Sequence, residues 1–210
     1  MIHTIYFDFG NVVAFFDHQR AVEKLARFTD LNATELTLRI YGDVTEDDYE
    51  CGKLSSAEFI RESKLNGRLD CSDQVFRDHF VDIFWANPEV CSLIPKLKPH
   101  YRVVLASNTN EMHFEKYTAQ FADTLQHFDH LVASHHARAR KPHPEFFTYA
   151  HQFADTHPEA CLFIDDMPVN TEMAAHFGWN AITYRPDGSL ADKLRALGVT
   201  IGTTAGERPV

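Results

Sequence analysis

From about residue 88 onward, short β-branched or apolar runs alternate with longer stretches whose apolar residues recur every three or four positions. That alternation reads as strand and helix in turn. Residues 101–107 (YRVVLAS), 130–134 (HLVAS), 161–165 (CLFID) and 180–184 (NAITY) are predicted strands, joined by the apolar opening run Ile5-Tyr6-Phe7. Helices are predicted over 110–121 (NEMHFEKYTAQF), over the stretch opening at Pro144 (HPEFFTYAHQFA), over VNTEMAAHFG stopping at Gly178, and over SLADKLRALG ending near Gly198. Glycine suits such helix ends because it accepts the left-handed conformation there. Strict β-α alternation implies a parallel sheet covered by helices on both faces, with right-handed crossovers: a Rossmann-like α/β fold.

Residues 16–87 differ, for they show helical spacing and no convincing strand. The segments 18–29, 32–42, 55–65 and 72–85 each place apolar residues three or four apart, with Ser, Thr, Asn or Asp at plausible caps. Asn87 followed by Pro88 then opens a helix that returns the chain to the α/β pattern. The predicted layout is a core of residues 1–15 and 88–210, with an all-helical cap of residues 16–87 inserted over its active edge.

In an open parallel sheet the site lies beyond the carboxyl ends of the strands. Taken together, those ends supply Asp8, then Ser107 with Asn108, then the loop carrying Lys141, then Asp165 and Asp166. Each alone can be a cap or a solvated side chain. Two adjacent acids after a buried strand, facing a third, repel one another unless a cation sits between them, and oxygen-only ligation suits Mg²⁺. A hydroxyl, an amide and an ammonium are what phosphate oxygens need nearby.

Composition narrows the partners. A formal charge of −10 with histidines neutral supplies no broad phosphate-neutralising face, which argues against nucleic acid and anionic lipid. No apolar run approaches the roughly 18 residues that cross a bilayer, so no membrane is expected. The start, MIHTIYFDFG, reaches an acid by Asp8 without a basic segment and a long apolar run, so no export is expected. Cys51, Cys71, Cys91 and Cys161 are widely separated and form no CxxC pair, which fits idle thiols in a reducing cytoplasm. His135, His136 and His143 lie in what reads as a loop and lack zinc-site spacing.

With FDFGNV, LASNTN, KPHPEFF and FIDDMPVN in this order, the chain resembles the haloacid dehalogenase superfamily of hydrolases over essentially its whole length. Within it, the chain is similar to bacterial phosphatases acting on sugar phosphates such as glucose 1-phosphate, and to the phosphatase-like N-terminal domain of some epoxide hydrolases. The resemblance implies that Asp8 is the nucleophile, taking the phosphoryl group of a small phosphorylated metabolite as an aspartyl phosphate. It implies a Mg²⁺ site from Asp8, the Gly10 carbonyl, Asp165 and Asp166, phosphoryl contacts from Ser107 and the Asn108 amide, and charge screening by Lys141. The screening has a physical basis: a carboxylate and a phosphate charge 4 Å apart repel by about 4 kcal/mol even at a screened effective dielectric.

One position departs from the pattern. The family's first motif usually carries a second Asp two residues after the nucleophile, where it protonates the leaving oxygen and then activates water; this chain has Gly10 there. Three readings stay open. One is a phosphatase whose leaving group is undemanding or whose missing acid is replaced, with Asp17 and His18 as candidates. Another is a dehalogenase-like enzyme, since halide leaves without a proton. The last is a binding relative with little turnover. Phe15, Phe16, His18 and Arg20 are candidates to face the pocket, Asn11 suits either the site or a turn, Asn170 is expected to brace the loop near the acids, and Phe146 with Phe147 read as core. Oligomeric state is not legible.

Overall fold

The structure, a computed structural model, describes residues 1–42 and 44–203. Residues 204–210, placed in the core by the sequence, lie outside the described residues. In chain order the elements are β1 (Thr4–Phe7), β2 (Ala14–Phe16), α1 (Gln19–Leu25), α2 (Ala33–Tyr41), α3 (Val44–Glu50), α4 (Ser56–Asn66), α5 (Asp73–Phe80), β3 (Phe84–Ala86) and α6 (Pro88–Leu97). Then follow β4 (Arg102–Ser107), α7 (Glu111–Gln120), α8 (Ala122–Leu125), β5 (His130–Ala133), α9 (Ser134–Ala137), α10 (Pro144–His151), β6 (Cys161–Asp165), α11 (Pro168–His176), β7 (Asn180–Thr183) and α12 (Leu190–Ala196).

Five strands form one parallel sheet in the order β5-β4-β1-β6-β7. The two-residue period of a strand sends alternate side chains to opposite faces. Ile5, Phe7, Val103, Leu105, Leu162 and Ile164 pack on one side with residues of α6, α7 and α12. Tyr6, Val104, Ala106 and Phe163 pack on the other with Phe146, Phe147 and Ala150 of α10 and Trp179. Phe146 and Phe147 are therefore core, and the expected two-faced α/β architecture is present.

β1 lies at the centre, paired with β4 on one side and β6 on the other, with Phe7 opposite both Leu105 and Ile164. Because this register aligns the strand ends, Asp8, Ser107 and Asp165 emerge along one rim. β1 is buried throughout, and a one-residue slip would exchange the side chains it presents to its two packed faces.

Helices α1 to α5 have an apolar cluster of their own, built on Val22, Leu36, Phe59, Phe76 and Phe80, which extends to Met112 of α7. Capping boxes start α2 at Asn32 and Glu35 and α4 at Ser55 and Glu58. The region is not wholly helical, which corrects the sequence reading. β2 and β3 pair antiparallel, Phe15 opposite Trp85 and Phe16 opposite Phe84, so the two crossings between core and helices form a ribbon. The helical spacing of Phe76 and Phe80 runs on into Phe84, which hides the end of α5 at Phe80 in the sequence. Helix α3 went unpredicted because its only buried residue is Tyr49.

Phe59 is central to the helical cluster, stacking on Tyr49 at 4.4 Å between ring centroids and lying 5.2 Å from Phe80. Phe59→Ala is expected to lower stability by about 3–5 kcal/mol. Urea unfolding followed by circular dichroism checks this, and a midpoint equal to that of the wild type would contradict the packing described.

Candidate active site

Asp8 continues the β1–β6 ladder by one residue, its N–H donating to Ile164 O at 2.8 Å. The turn that follows is tight: Asn11 N–H donates to Ala14 O at 2.7 Å, and Asn11 takes a left-handed φ of 55°. Asparagine tolerates that conformation better than most residues. Its side chain then donates to Asp166 Oδ2 at 3.1 Å, so Asn11 serves both the turn and the site.

The centre of the rim is an ion cluster. Lys141 Nζ lies 2.8 Å from Asp8 Oδ1 and 2.7 Å from Asp165 Oδ2. Exposure is 8% for Asp8, 2% for Lys141 and 0% for Asp165, so these charges meet with little solvent screening. Asp8 Oδ1 also accepts from Phe9 N at 2.7 Å. Asp165 accepts from Met167 N at 2.8 Å and from Asn170 Nδ2 at 2.9 and 3.1 Å, which is the bracing role expected of Asn170.

Carboxylate oxygens of Asp8, Asp165 and Asp166 lie within 4.8 Å of one another. Burial pushes the Asp8 carboxyl up, with Asp165 and Asp166 adding and Lys141 opposing. Asp166 is raised by burial as well. Burial alone lowers Lys141, but Asp165 and Asp8 outweigh it, so the ammonium stays charged. Asp8 and Asp165 share one ammonium and Asp166 has none, so the three form a donor set of hard oxygens short of positive charge and suited to a divalent cation. Among the described residues this is the one cluster of three acids, histidines or cysteines with ligand atoms so close. His135 instead pairs its Nδ1 with Thr109 O at 3.1 Å, and His143 precedes α10.

Ser107 and Asn108 end β4 beside the cluster. The Asn108 side chain is engaged on both sides, donating to Lys141 O at 3.0 Å and accepting from Lys141 N at 2.8 Å. It therefore holds the lysine's backbone in place. Ser107 is buried, its Oγ 3.2 Å from Asn108 O.

A cavity of about 260 Å³ opens over Asp8, bounded by Gly10, Asn11, Lys141 and Asp166 below and by Phe16 and His18 beyond. The other cap candidates face elsewhere. Asp17 is exposed and accepts from Gln19 N at 2.9 Å, and Arg20 lies over Trp85. His18 stacks on Tyr41 at 4.0 Å, and burial lowers it to about 4 against the pull of Asp17, so it is neutral.

Three charged residues missed in the sequence also line this cavity: Glu46 and Glu50 of α3, and Arg140. Burial raises Glu46 to about 8, with Glu50 adding and Arg140 opposing, and raises Glu50 to about 7 against Lys141. Arg140 pairs with Asp47 and places Nη2 3.1 Å from Glu50 Oε2, tying α3 to the lysine loop. The available signal was the i, i+4 spacing of Glu46 and Glu50, which puts both on one helix face. A larger cavity of about 610 Å³, bounded by Tyr49, Glu111, Phe114 and His136, holds none of the rim acids.

Gly10 has a physical explanation. A Cβ at this position would sit 2.8 Å from Phe16 Cε1 and 3.2 Å from Cδ1, so the ribbon's phenyl ring fills the space a larger residue needs. Gly10→Asp is expected to destabilise by about 1–3 kcal/mol, as overpacking does, and Phe16→Ala in the same chain should relieve most of that loss. A double-mutant cycle on thermal unfolding reads the coupling, and strictly additive effects would contradict the contact.

Comparison with known proteins gives the same architecture. The model of a hydrolase family, described as haloacid dehalogenase-like hydrolase, matches residues 2–178. The chain is 26% identical over 196 residues to a D-ribitol-5-phosphate phosphatase of Bacteroides thetaiotaomicron, covering 89% of this chain and 93% of that one. It superposes with a TM-score of 0.81 on a HAD family enzyme from Bacteroides thetaiotaomicron in complex with magnesium and inorganic phosphate, at 22% identity, covering 93% of this chain and 100% of the other. A predicted HAD-like family hydrolase from Porphyromonas gingivalis gives 0.81 at 24% identity, covering 94% and 98%. Motifs, fold and family match agree: the chain belongs to the haloacid dehalogenase-like hydrolases.

Proposed function

We propose that this hydrolase is a Mg²⁺-dependent phosphomonoesterase, acting on a small sugar or sugar-alcohol phosphate through an aspartyl phosphate on Asp8. The observation that carries the reading is the convergence of the Asp8, Asp165 and Asp166 carboxylates within 4.8 Å of one another, with the Lys141 ammonium paired to Asp8 and Asp165. The phosphatase likeness, and the magnesium and phosphate bound by a structural relative, support it. Asp8, Asp165 and Asp166, with the carbonyl of Gly10, are the groups that would hold Mg²⁺. When bound, the ion supplies positive charge that lets a carboxylate approach a phosphate dianion.

The chain's own groups account for the rest. Asp8 Oδ attacks phosphorus while the P–O bond to the alcohol breaks in line on the opposite side. Lys141 opposes the rise that burial imposes on the Asp8 carboxyl and holds it in position. Ser107 Oγ and the backbone amide of Asn108 donate to the phosphoryl oxygens. Helices α1 to α5 act as a cap over residues 1–15 and the segment beginning at 88, so that the departing alcohol faces cap residues. Substrates are small because the cavity over Asp8 is about 260 Å³. No described helix is long and apolar enough to cross a membrane.

Phosphate release from a panel including D-ribitol 5-phosphate and glucose 1-phosphate tests the reading. Release is expected to require added Mg²⁺, to stop on chelation, and to fall at least about 10³-fold in Asp8→Asn. Release that persists in Asp8→Asn, or in chelator, would overturn it.

A further inference from the structure

In-line transfer fixes where a proton donor must stand. With Asp8 attacking from the β1 side, the leaving oxygen sits on the far side of phosphorus, toward the cavity wall formed by the cap. Residue 10 offers no acid there, and Phe16 occupies the room one would need. The groups on that wall can be compared directly. His18 is neutral and stacked between aromatic neighbours. Arg140 is a permanent cation and has no proton to give. Glu46 and Glu50 remain, one turn apart on α3.

Glu50 is the better placed of the two. It lines the cavity over Asp8 and also the adjoining small cavity bounded by Gly10, Phe16, Ser107 and Asn108. Glu46 reaches only the first. Glu50 Oε2 is buried and held by its ion pair with Arg140, whose Nη2 lies 3.1 Å away. The pair fixes the carboxyl on the cavity wall and leaves it acceptor capacity for a further hydrogen bond.

We propose that Glu50 supplies the general acid and base absent at Gly10, working from the cap helix on the leaving oxygen. The proposal rests on the phosphatase reading. In the first half-reaction the Asp8 Oδ–P bond forms, the P–O bond to the alcohol breaks, and the Glu50 carboxyl proton passes to the alcohol oxygen. In the second, water adds to phosphorus and gives its proton to the Glu50 carboxylate, the Asp8–P bond breaks, and phosphate leaves with Asp8 restored. The charged and titratable groups around Glu50 are Glu46 and Cys51 near it in the chain, Arg140, itself paired with Asp47, and Lys141 on the facing loop, His18, His113 and Tyr117 across the cavities, and Asp8 and Asp166 on the rim. Burial among them lifts the carboxyl to about 7, so a share of it carries a proton near neutral pH.

Glu50→Gln tests this with two esters, D-ribitol 5-phosphate, whose alkoxide is a poor leaving group, and p-nitrophenyl phosphate, whose phenolate needs no proton. For the ribitol ester, kcat/KM is expected to fall about 10²- to 10⁴-fold and to lose its decline above neutral pH. For p-nitrophenyl phosphate, kcat/KM should stay within about threefold, with a burst of nitrophenol followed by slow turnover as the aspartyl phosphate waits for a base. Equal losses on both esters would show a structural or binding role and overturn the proposal, as would no loss on either. Should Glu50→Gln not fold, the wild-type profiles decide: a basic limb in kcat/KM confined to the ribitol ester supports the proposal, and the same limb for both esters contradicts it. Failure of the phosphatase reading looks different, because the wild type would then release phosphate from neither ester.

Discussion

The Lys141 ammonium, held 2.8 Å from Asp8 and 2.7 Å from Asp165, is the contact on which the acidic rim depends. A buried cation is costly unless it is fully paired, and two buried carboxylates at neighbouring strand ends are costly without one. The cluster therefore forms only if β1 and β6 stay in register and the loop after β5 returns Lys141 to the rim. Asn108 secures that return by clasping the lysine's backbone in both directions. Fold and chemistry are thus coupled: the same parallel pairing that buries Ile5 and Phe7 brings three acids together, and Lys141 offsets only part of their repulsion.

The remaining charge deficit leaves the three acids a donor set suited to a divalent cation. The cap imposes a second constraint. Its entry strand carries Phe16 across the turn, closing the space beside Gly10, while Arg140 ties α3 to the lysine loop through Asp47 and Glu50. Cap position and lysine position are linked by neighbours in sequence, Arg140 reaching the cap and Lys141 reaching the core.

Much of this was legible in the sequence, for identifiable reasons. The sheet was legible because buried parallel strands are continuous apolar runs, and the rim acids because each follows such a run directly. Asp8, Ser107, Asn108, Lys141, Asp165 and Asp166 do meet at one edge. What escaped depends on tertiary packing. Phe84 and Trp85 continue the helical spacing of α5, so the ribbon was invisible. Helix α3 buries only Tyr49 and shows no apolar stripe, which hid Glu46 and Glu50 along with it. The reason for Gly10 lies in a ring six residues away that reaches it only through the turn.

The central claim is that Asp8 becomes covalently phosphorylated, and the direct measurement is mass spectrometry of enzyme quenched in acid during turnover of D-ribitol 5-phosphate with Mg²⁺. The account predicts a phosphoryl adduct on the peptide containing Asp8, absent in Asp8→Asn and absent without substrate. Turnover with no adduct on that peptide, under quenching that preserves acyl phosphates, would contradict it.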